Sequence, residues 1–528
     1  MTDTVVQTKN CLHCQSSFSI TQRDLAFYDT VSPTFVGQKF PIPTPTLCPA
    51  CRQRRRMAFR NERSLYRRTC DASGKQIISA YSPDKPYKVY DYKLWRSDSR
   101  DPMDYGRDFD FSKTFTEQFD TLRKEVPMLS LNVMANENAD YMNYSGYSKS
   151  CYLSFNTDYS ENTHYSTSNM RCHDSMDLLK CVESTLCYDC IDATNCYNLF
   201  WSQFCFDCHD SYFLFNCRNC SFCFGCENLE NQSYYIYNKK VSPEAYTTFM
   251  QSLSSGSHMA IQWERQKFYD KVCPLIEHEK FFFHADNCSG KYIFSSRNVH
   301  DSYDMIESED CSHCQVLNHV KDCYDRSYMG YEGSRCYELS CCGDTIHHCV
   351  GSHNIRSGGI NLLYCALGSR LSDCFGCIGL RHKQYCIFNK QYSKEDYELT
   401  VAKIISHMQD TGERWEFLHP SLSPFGYDET LAQEYAPTTH WDIDWFGYKW
   451  NAYQSPNPVS DKVIQGKDLP DSIDDVQDDL LQYAIACVVS GKLFRVQSQE
   501  LAFYRKHHIP LPRKHPDQRH LERLAMRK

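Results

Sequence analysis

The chain has 528 residues, 31 cysteines and a formal charge of −9, which admits three or more domains with large buried interiors. The N-terminal residues show no apolar run, and no stretch of about 18 apolar residues occurs anywhere, which argues against a secretory signal and a membrane-spanning helix. The expected compartment is therefore the reducing cytoplasm, where cysteines serve as metal ligands or core residues rather than as disulfides.

Residues 1–68 read as a zinc ribbon with an arginine-rich helix. Cys11-Leu12-His13-Cys14 and Cys48-Pro49-Ala50-Cys51 are two CxxC pairs, and each pair can turn two sulfurs toward one metal. Four thiolates close the tetrahedron, so the spacing predicts one structural zinc with no open position. Cys51 runs directly into Arg52, Arg54, Arg55, Arg56 and Arg60. A helix so dense in arginine can bind phosphate backbone or can pair with acids of its own chain.

Residues 69–138 form a mixed linker region with a helix near 112–126. Thr114 and Glu117 make a capping box, Phe115, Phe119, Leu122 and Val126 share one face, and Pro127 ends the run. Residues 139–285 read as a first cysteine-rich β-solenoid block plus closing helices. Its signal is an 18-residue repeat: Cys187-Tyr188-Asp189-Cys190 returns as Cys205-Phe206-Asp207-Cys208 and as Cys223-Phe224-Gly225-Cys226. The repeat predicts parallel 18-residue coils that stack Leu186, Phe204 and Phe222 in one ladder and Asp174, Asp192 and Asp210 on one turn. Ser242 and Pro243 then start a closing helix.

Residues 286–410 repeat the design as a second block, ending in Cys374-Phe375-Gly376-Cys377 and a helix capped by Ser393. Residues 411–480 read as a linker. Residues 481–528 are a degenerate ribbon: Cys487, Leu501-Ala502-Phe503-Tyr504 and His515-Pro516-Asp517-Gln518-Arg519 match the N-terminal frame. Ser490, His515 and Gln518 stand where three ligands should be, so this copy is expected to fold without metal. Its tail is basic again, through residues such as Arg519 and Arg523.

The expected fold is thus mixed and mainly β, with two solenoid blocks flanked by a zinc ribbon and a metal-free copy. The ribbon with Phe27-Tyr28, the Arg68-Thr69-Cys70-Asp71-Ala72-Ser73-Gly74-Lys75 stretch, Ser423-Pro424-Phe425-Gly426-Tyr427-Asp428 and Pro510-Leu511-Pro512-Arg513 together resemble a group of uncharacterised proteins from genome-reduced bacterial lineages. The resemblance covers most of the chain and implies an N-terminal zinc-ribbon domain, cysteine-rich repeats and no particular activity.

The coil cysteines admit two main readings, with disulfides as a lesser third. They are small apolar fillers of a narrow core, or Cys187/Cys190, Cys205/Cys208, Cys223/Cys226 and Cys374/Cys377 are further metal knuckles or redox thiols. A repeat with cysteine at two phases generates CxxC by itself, which favours the core. No phosphate-binding glycine loop, zinc-protease motif or serine elbow is present, and no catalytic residue is assigned. His164, His347 and His348 could serve as bases. Left-handed β-helix acyltransferases share the 18-residue coil, but their aliphatic-glycine hexapeptide pattern is missing here, which leaves such an enzyme as the lesser alternative. The function expected is a cytoplasmic scaffold or adaptor that contacts RNA, DNA or a ribonucleoprotein through its basic ends, or another protein along the solenoid.

Overall fold

The computed structural model describes residues 3–527 except 254, 329, 414, 444–445, 454 and 456–459, and the side chain of 278. The chain opens with a hairpin of β1 (Val5–Asn10) and β2 (Ser17–Thr21), followed by helix α1 (Gln22–Val31). Thr21 and Asp24 form a capping box that fixes the start of α1. Helix α2 (Pro49–Met57) starts at Cys48, with proline at its first position. A second hairpin, β3 (Tyr66–Thr69) and β4 (Gln76–Ser79), precedes short helix α3 (Tyr92–Arg96). Helix α4 (Phe115–Glu125) carries the expected Thr114–Glu117 box.

From residue 133 the backbone pairs in parallel with itself. Glu137 faces Lys149, Lys149 faces Glu161, and Ile191 faces Gln203: the partner lies twelve residues on, not eighteen. We call these twelve residues a lap. The physical reason is local. Every third residue from Ala135 to Tyr237 takes left-handed backbone, with φ between 46° and 65°, so each lap has four corners. Such corners cost energy for side-chain-bearing residues and are held by hydrogen bonds. The Tyr165 amide donates to the Tyr152 carbonyl one lap back, and Asp177 donates to His164 in the same way. The 18-residue repeat of the sequence is therefore a lap and a half. Phe222 stacks on Tyr234 at 5.0 Å rather than on Phe204, and Asp174 and Asp210 each accept from an asparagine twelve residues back, Asn162 and Asn198.

The residue after each corner points inward, where four side chains per lap must fit. That position holds Ser145, Ser148, Cys151, Ser154, Cys172, Cys187, Cys190 and Cys205, among others, and all are buried. These side chains do more than fill. The Ser184 hydroxyl donates to the Val182 carbonyl and accepts from the Cys196 amide. The Cys190 thiol donates to the carbonyls of Tyr188 and Leu199. A small group that can both give and take a hydrogen bond suits this position, which favours serine, threonine and cysteine, while Leu178, Ala193, Leu199 and Leu214 occupy it as apolar fillers. Helices α5 (Pro243–Ser252) and α6 (His258–His278) follow, with Ser242 capping α5.

The second ladder repeats the pattern with two irregularities. At its start the partner lies eleven residues on, Phe282 facing Ile293 and Asp286 facing Arg297. Between Asn318 and Gly359 the parallel partner lies thirteen residues on, because Tyr328, Cys341 and Asn354 are each followed by a corner four residues later. The extra space takes Arg326, which points inside and is fully buried; it donates to the carbonyls of Cys342 and Gly343. Gly333 is the residue that makes room, since a Cβ there would sit 2.3 Å from Arg326 Nη1. Ser393 caps helix α7 (Lys394–Asp410). Near the end, α8 (Ser498–Lys506) and α9 (Pro516–Ala525) repeat α1 and α2.

Two compact units result: Met1–Leu131 with Lys280–Gln454, and Asn132–Glu279 with Ser455–Lys528. Each unit thus combines one terminal module with one ladder. The first unit pairs the N-terminal module with the later ladder, and the second pairs the C-terminal module with the earlier one.

Candidate metal centre

Hairpin β1–β2 leads into the first CxxC turn. The Cys11 amide donates to the Ser16 carbonyl at 3.0 Å, and Gln15 turns left-handed at φ 60° to close the turn. The Leu12 amide donates to the Thr46 carbonyl, and Lys9 Nζ donates to Pro45 O at 2.9 Å, which draws the second pair alongside the first. Phe18, Ile20 and Leu47 pack around Cys11, Cys48 and Cys51, while Cys14 stays exposed.

The four sulfurs lie within 4.8 Å of one another. Cys14 and Cys48 are 3.6 Å apart. A disulfide needs about 2.05 Å, whereas a tetrahedron of 2.3 Å metal–sulfur bonds has an edge of about 3.8 Å. The set could hold a metal ion such as zinc, and four protein ligands would leave it no open position. Burial pushes the Cys48 and Cys51 thiols up. At Cys14 burial is outweighed by hydrogen bonds from Ser16 and the neighbouring thiols, which bring it down to about 6. Four thiols this close cannot all ionise unaided, and a divalent cation supplies what they lack.

The arginines assigned to nucleic-acid contact lie elsewhere than expected. Arg52 pairs with Asp325 at 2.9 Å, Arg55 with Glu338 and Glu416 at 2.8 Å each, and Arg56 with both Asp325 and Glu338. Arg60 donates to Glu62 and to Cys341 Sγ. Arg54 is half-buried on the Tyr427 hydroxyl at 2.6 Å. In the second unit Arg519 pairs with Asp177, Arg523 with Asp177 and Asp189, and Arg527 with Asp192. Helix spacing explains the match: arginines four residues apart share a face of α2 and of α9. Asp325 and Glu338, and likewise Asp177 and Asp189, occupy equivalent corners on successive laps. A phosphate backbone could reach the buried members only by breaking these pairs.

Sequence reasoning missed the acids Asp177, Asp189 and Glu338. The signal that exposes them is the spacing of twelve or thirteen residues between equivalent corners of successive laps, which the 18-residue repeat concealed.

The coil cysteines do not assemble a second centre. Among the described residues, Cys11, Cys14, Cys48 and Cys51 are the group of three or more metal-capable side chains that converge. Cys187, Cys190, Cys205, Cys208, Cys223, Cys226, Cys374 and Cys377 are buried free thiols that donate to backbone carbonyls two residues back, as Cys205 does to Gln203 O. His164 is buried, and burial lowers it to about 4. His347 contacts the Ser334 hydroxyl, and His348 contacts Arg335.

At the C-terminal module, the Ser490 amide meets Cys487 Sγ and His515 Nδ1 accepts from the Asp517 amide, so this histidine caps α9. Hairpin β3–β4 contains a third turn of the same form. The Cys70 amide donates to Lys75 O, Gly74 donates back to Cys70 O, and the Asp91 amide meets Cys70 Sγ at the start of α3. With Ser73 three residues after Cys70, this turn keeps the frame without a ligand set.

No family model and no curated protein matches the chain. One solved structure, from Desulfovibrio desulfuricans G20 and assigned as an acetyltransferase, aligns with 46% of this chain and 63% of its own length at 11% identity, with a TM-score of 0.12. Among the described residues no helix is long and apolar enough to cross a membrane.

Proposed function

We propose that the chain is a zinc-binding cytoplasmic scaffold in which each terminal module locks onto a parallel β-solenoid of twelve-residue coils. The observation that carries this reading is the continuity of α2. Cys48 and Cys51 stand at its start, and Arg52, Arg55 and Arg56 follow on the same helix into buried pairs with Asp325 and Glu338. A zinc ion at the four cysteines would fix the first turn of α2 and so fix the arginines. The C-terminal zinc-ribbon copy makes the equivalent lock through Arg519, Arg523 and Arg527.

Arginines committed to internal acids withdraw the support that basic chain ends gave to RNA or DNA as the partner. A protein partner along the solenoid keeps its support from outward side chains such as Tyr147 and Tyr159, which stack at 5.0 Å and remain about half exposed. The alternative of thiol-based metal handling is weakened by the hydrogen-bonding duty of the coil cysteines.

Metal analysis of anaerobically purified protein tests the proposal. We expect one zinc per chain, lost in Cys11→Ser/Cys14→Ser, with the first unit melting earlier and the second unchanged. Several metals per chain that survive this double substitution would favour the coil thiols instead.

A further inference from the structure

Both units carry a cavity at the same place in the duplicated frame. In the first, a cavity of about 540 Å³ is bounded by Pro43-Thr44-Pro45-Thr46, by Arg55 of α2 and by Tyr337. In the second, one of about 270 Å³ is bounded by Pro510-Leu511-Pro512-Arg513, by Glu522 of α9 and by Tyr188. Each proline segment precedes the arginine-bearing helix. Arg55 and Glu522 each stand three residues after its first arginine, and each tyrosine precedes a corner acid, Glu338 or Asp189. The opposite walls are unrelated: Thr411 to Glu413 and Trp415 to His419 in the first unit, helix α6 in the second. Close packing gives a mere void no reason to persist when the wall across it is exchanged. A binding site has such a reason.

The second cavity also holds cations without a direct ion-pair partner, although Asp471 lies near enough for Arg513 to add to the Ser257 hydrogen bond that holds its carboxyl down. Arg265 pairs with Asp189 at 2.8 Å, Arg519 with Asp177, and Lys514 with Glu522 at 2.7 Å. Lys467 and Arg513 are left over; among the described residues no carboxylate lies within ion-pair distance of either, and Arg513 donates to the carbonyls of Lys467 and Leu469. The aromatic side chains of Tyr188 and Trp201 line the same cavity. A concave pocket with aromatic walls and a few convergent charged groups is the ordinary form of a small-molecule site.

We propose that this cavity binds a small molecule joining an anionic group to a flat ring, with the phosphate or carboxylate at Arg513 and Lys467 and the ring at Trp201. Guanidinium and ammonium groups recognise either anion.

Calorimetric titration of the full chain tests the assignment, using phenyl phosphate and benzoate, with phenol and phenyltrimethylammonium as probes that lack or reverse the charge. We expect at least one of the two anions to bind saturably at one site per chain, and to bind about tenfold more weakly in Lys467→Gln and in Arg513→Gln. Arg495→Gln, on the same unit but outside the cavity, should leave binding unchanged. Binding of phenyl phosphate alone identifies a phosphate ligand, and binding of benzoate alone a carboxylate. The proposal is overturned if neither anion binds, if phenol binds as tightly, or if anion binding survives both substitutions. Lys467 is exposed, so its variant decides the matter even if Arg513→Gln folds poorly.

Discussion

Replacing Arg56 by methionine distinguishes an internal lock from a phosphate-binding face. The Arg56 side chain is fully buried; it meets Asp325 at 3.0 Å and Glu338 at 2.9 Å, and donates to the Ser327 hydroxyl at 3.1 Å. Arg52 and Arg55 would still hold one oxygen of each acid, but with Glu416 also on Arg55 three carboxylates would be left to two cations. Removing one member of a buried ion-pair set costs about 3–5 kcal/mol. In a unit of about 300 residues that lowers the melting temperature by roughly 5–8 °C. Differential scanning calorimetry should show the first unit's transition moving and the second's standing still, and Arg523→Met should do the reverse. An arginine exposed for phosphate binding would cost under about 0.5 kcal/mol. A shift that small at both sites would refute the lock.

Three further outcomes follow from the same geometry. Burial holds His164 down to about 4 and His353 to about 3. Each is neutral in the folded chain where the unfolded chain would already be protonated. Their contribution is present above about pH 6.5 and declines as pH falls toward 4, by about 1.4 kcal/mol per unit for each histidine; equilibrium denaturation between pH 7 and 5 should show this slope lessened in His353→Gln. Ser184→Ala should cost about 2 kcal/mol, because it orphans the buried Cys196 amide, whereas Ser184→Cys should cost little; chemical denaturation compares them. Gly351→Ala should destabilise the first unit, since φ is 65° there and a Cβ would meet Tyr364 Cε1 at 2.7 Å; a fall in its thermal midpoint checks this.

The parts of the fold that sequence reveals are those set by neighbours in the chain. The Thr114–Glu117 box, the Ser242 and Ser393 caps and the CxxC turns each depend on residues within a few positions, and each is present. The lap length was hidden because its signal is spread thin. Inward positions recur every third residue, but serine, threonine, cysteine, alanine and leucine share them, and only the cysteines catch the eye. The cysteines happen to recur most plainly at eighteen residues, a multiple of three, so the phase was right and the length wrong. The acids that meet the arginines escaped for a related reason. Asp177 and Asp189 lie in one ladder while Arg519 and Arg523 lie more than 300 residues later, and nothing local links them. Arg326 escaped too, because a lone arginine inside a ladder is intelligible only once the thirteen-residue laps and Gly333 are seen.

The three-residue corner step bears on how such a chain can change length. Inserting or deleting a single residue in the first ladder would turn every later inward side chain to a corner or an outer wall, unless a corner step changes length as it does after Tyr328, Cys341 and Asn354. A whole extra lap would leave every face as it was. An eighteen-residue insertion falls between these cases: it keeps inside and outside intact but carries each later outward residue to the opposite wall. Growth by that unit would have moved a column such as Asp177–Asp189 out from under its arginines, and a second copy would have brought it back. Pairs of such units, rather than single ones, are the increments that the arginine locks allow.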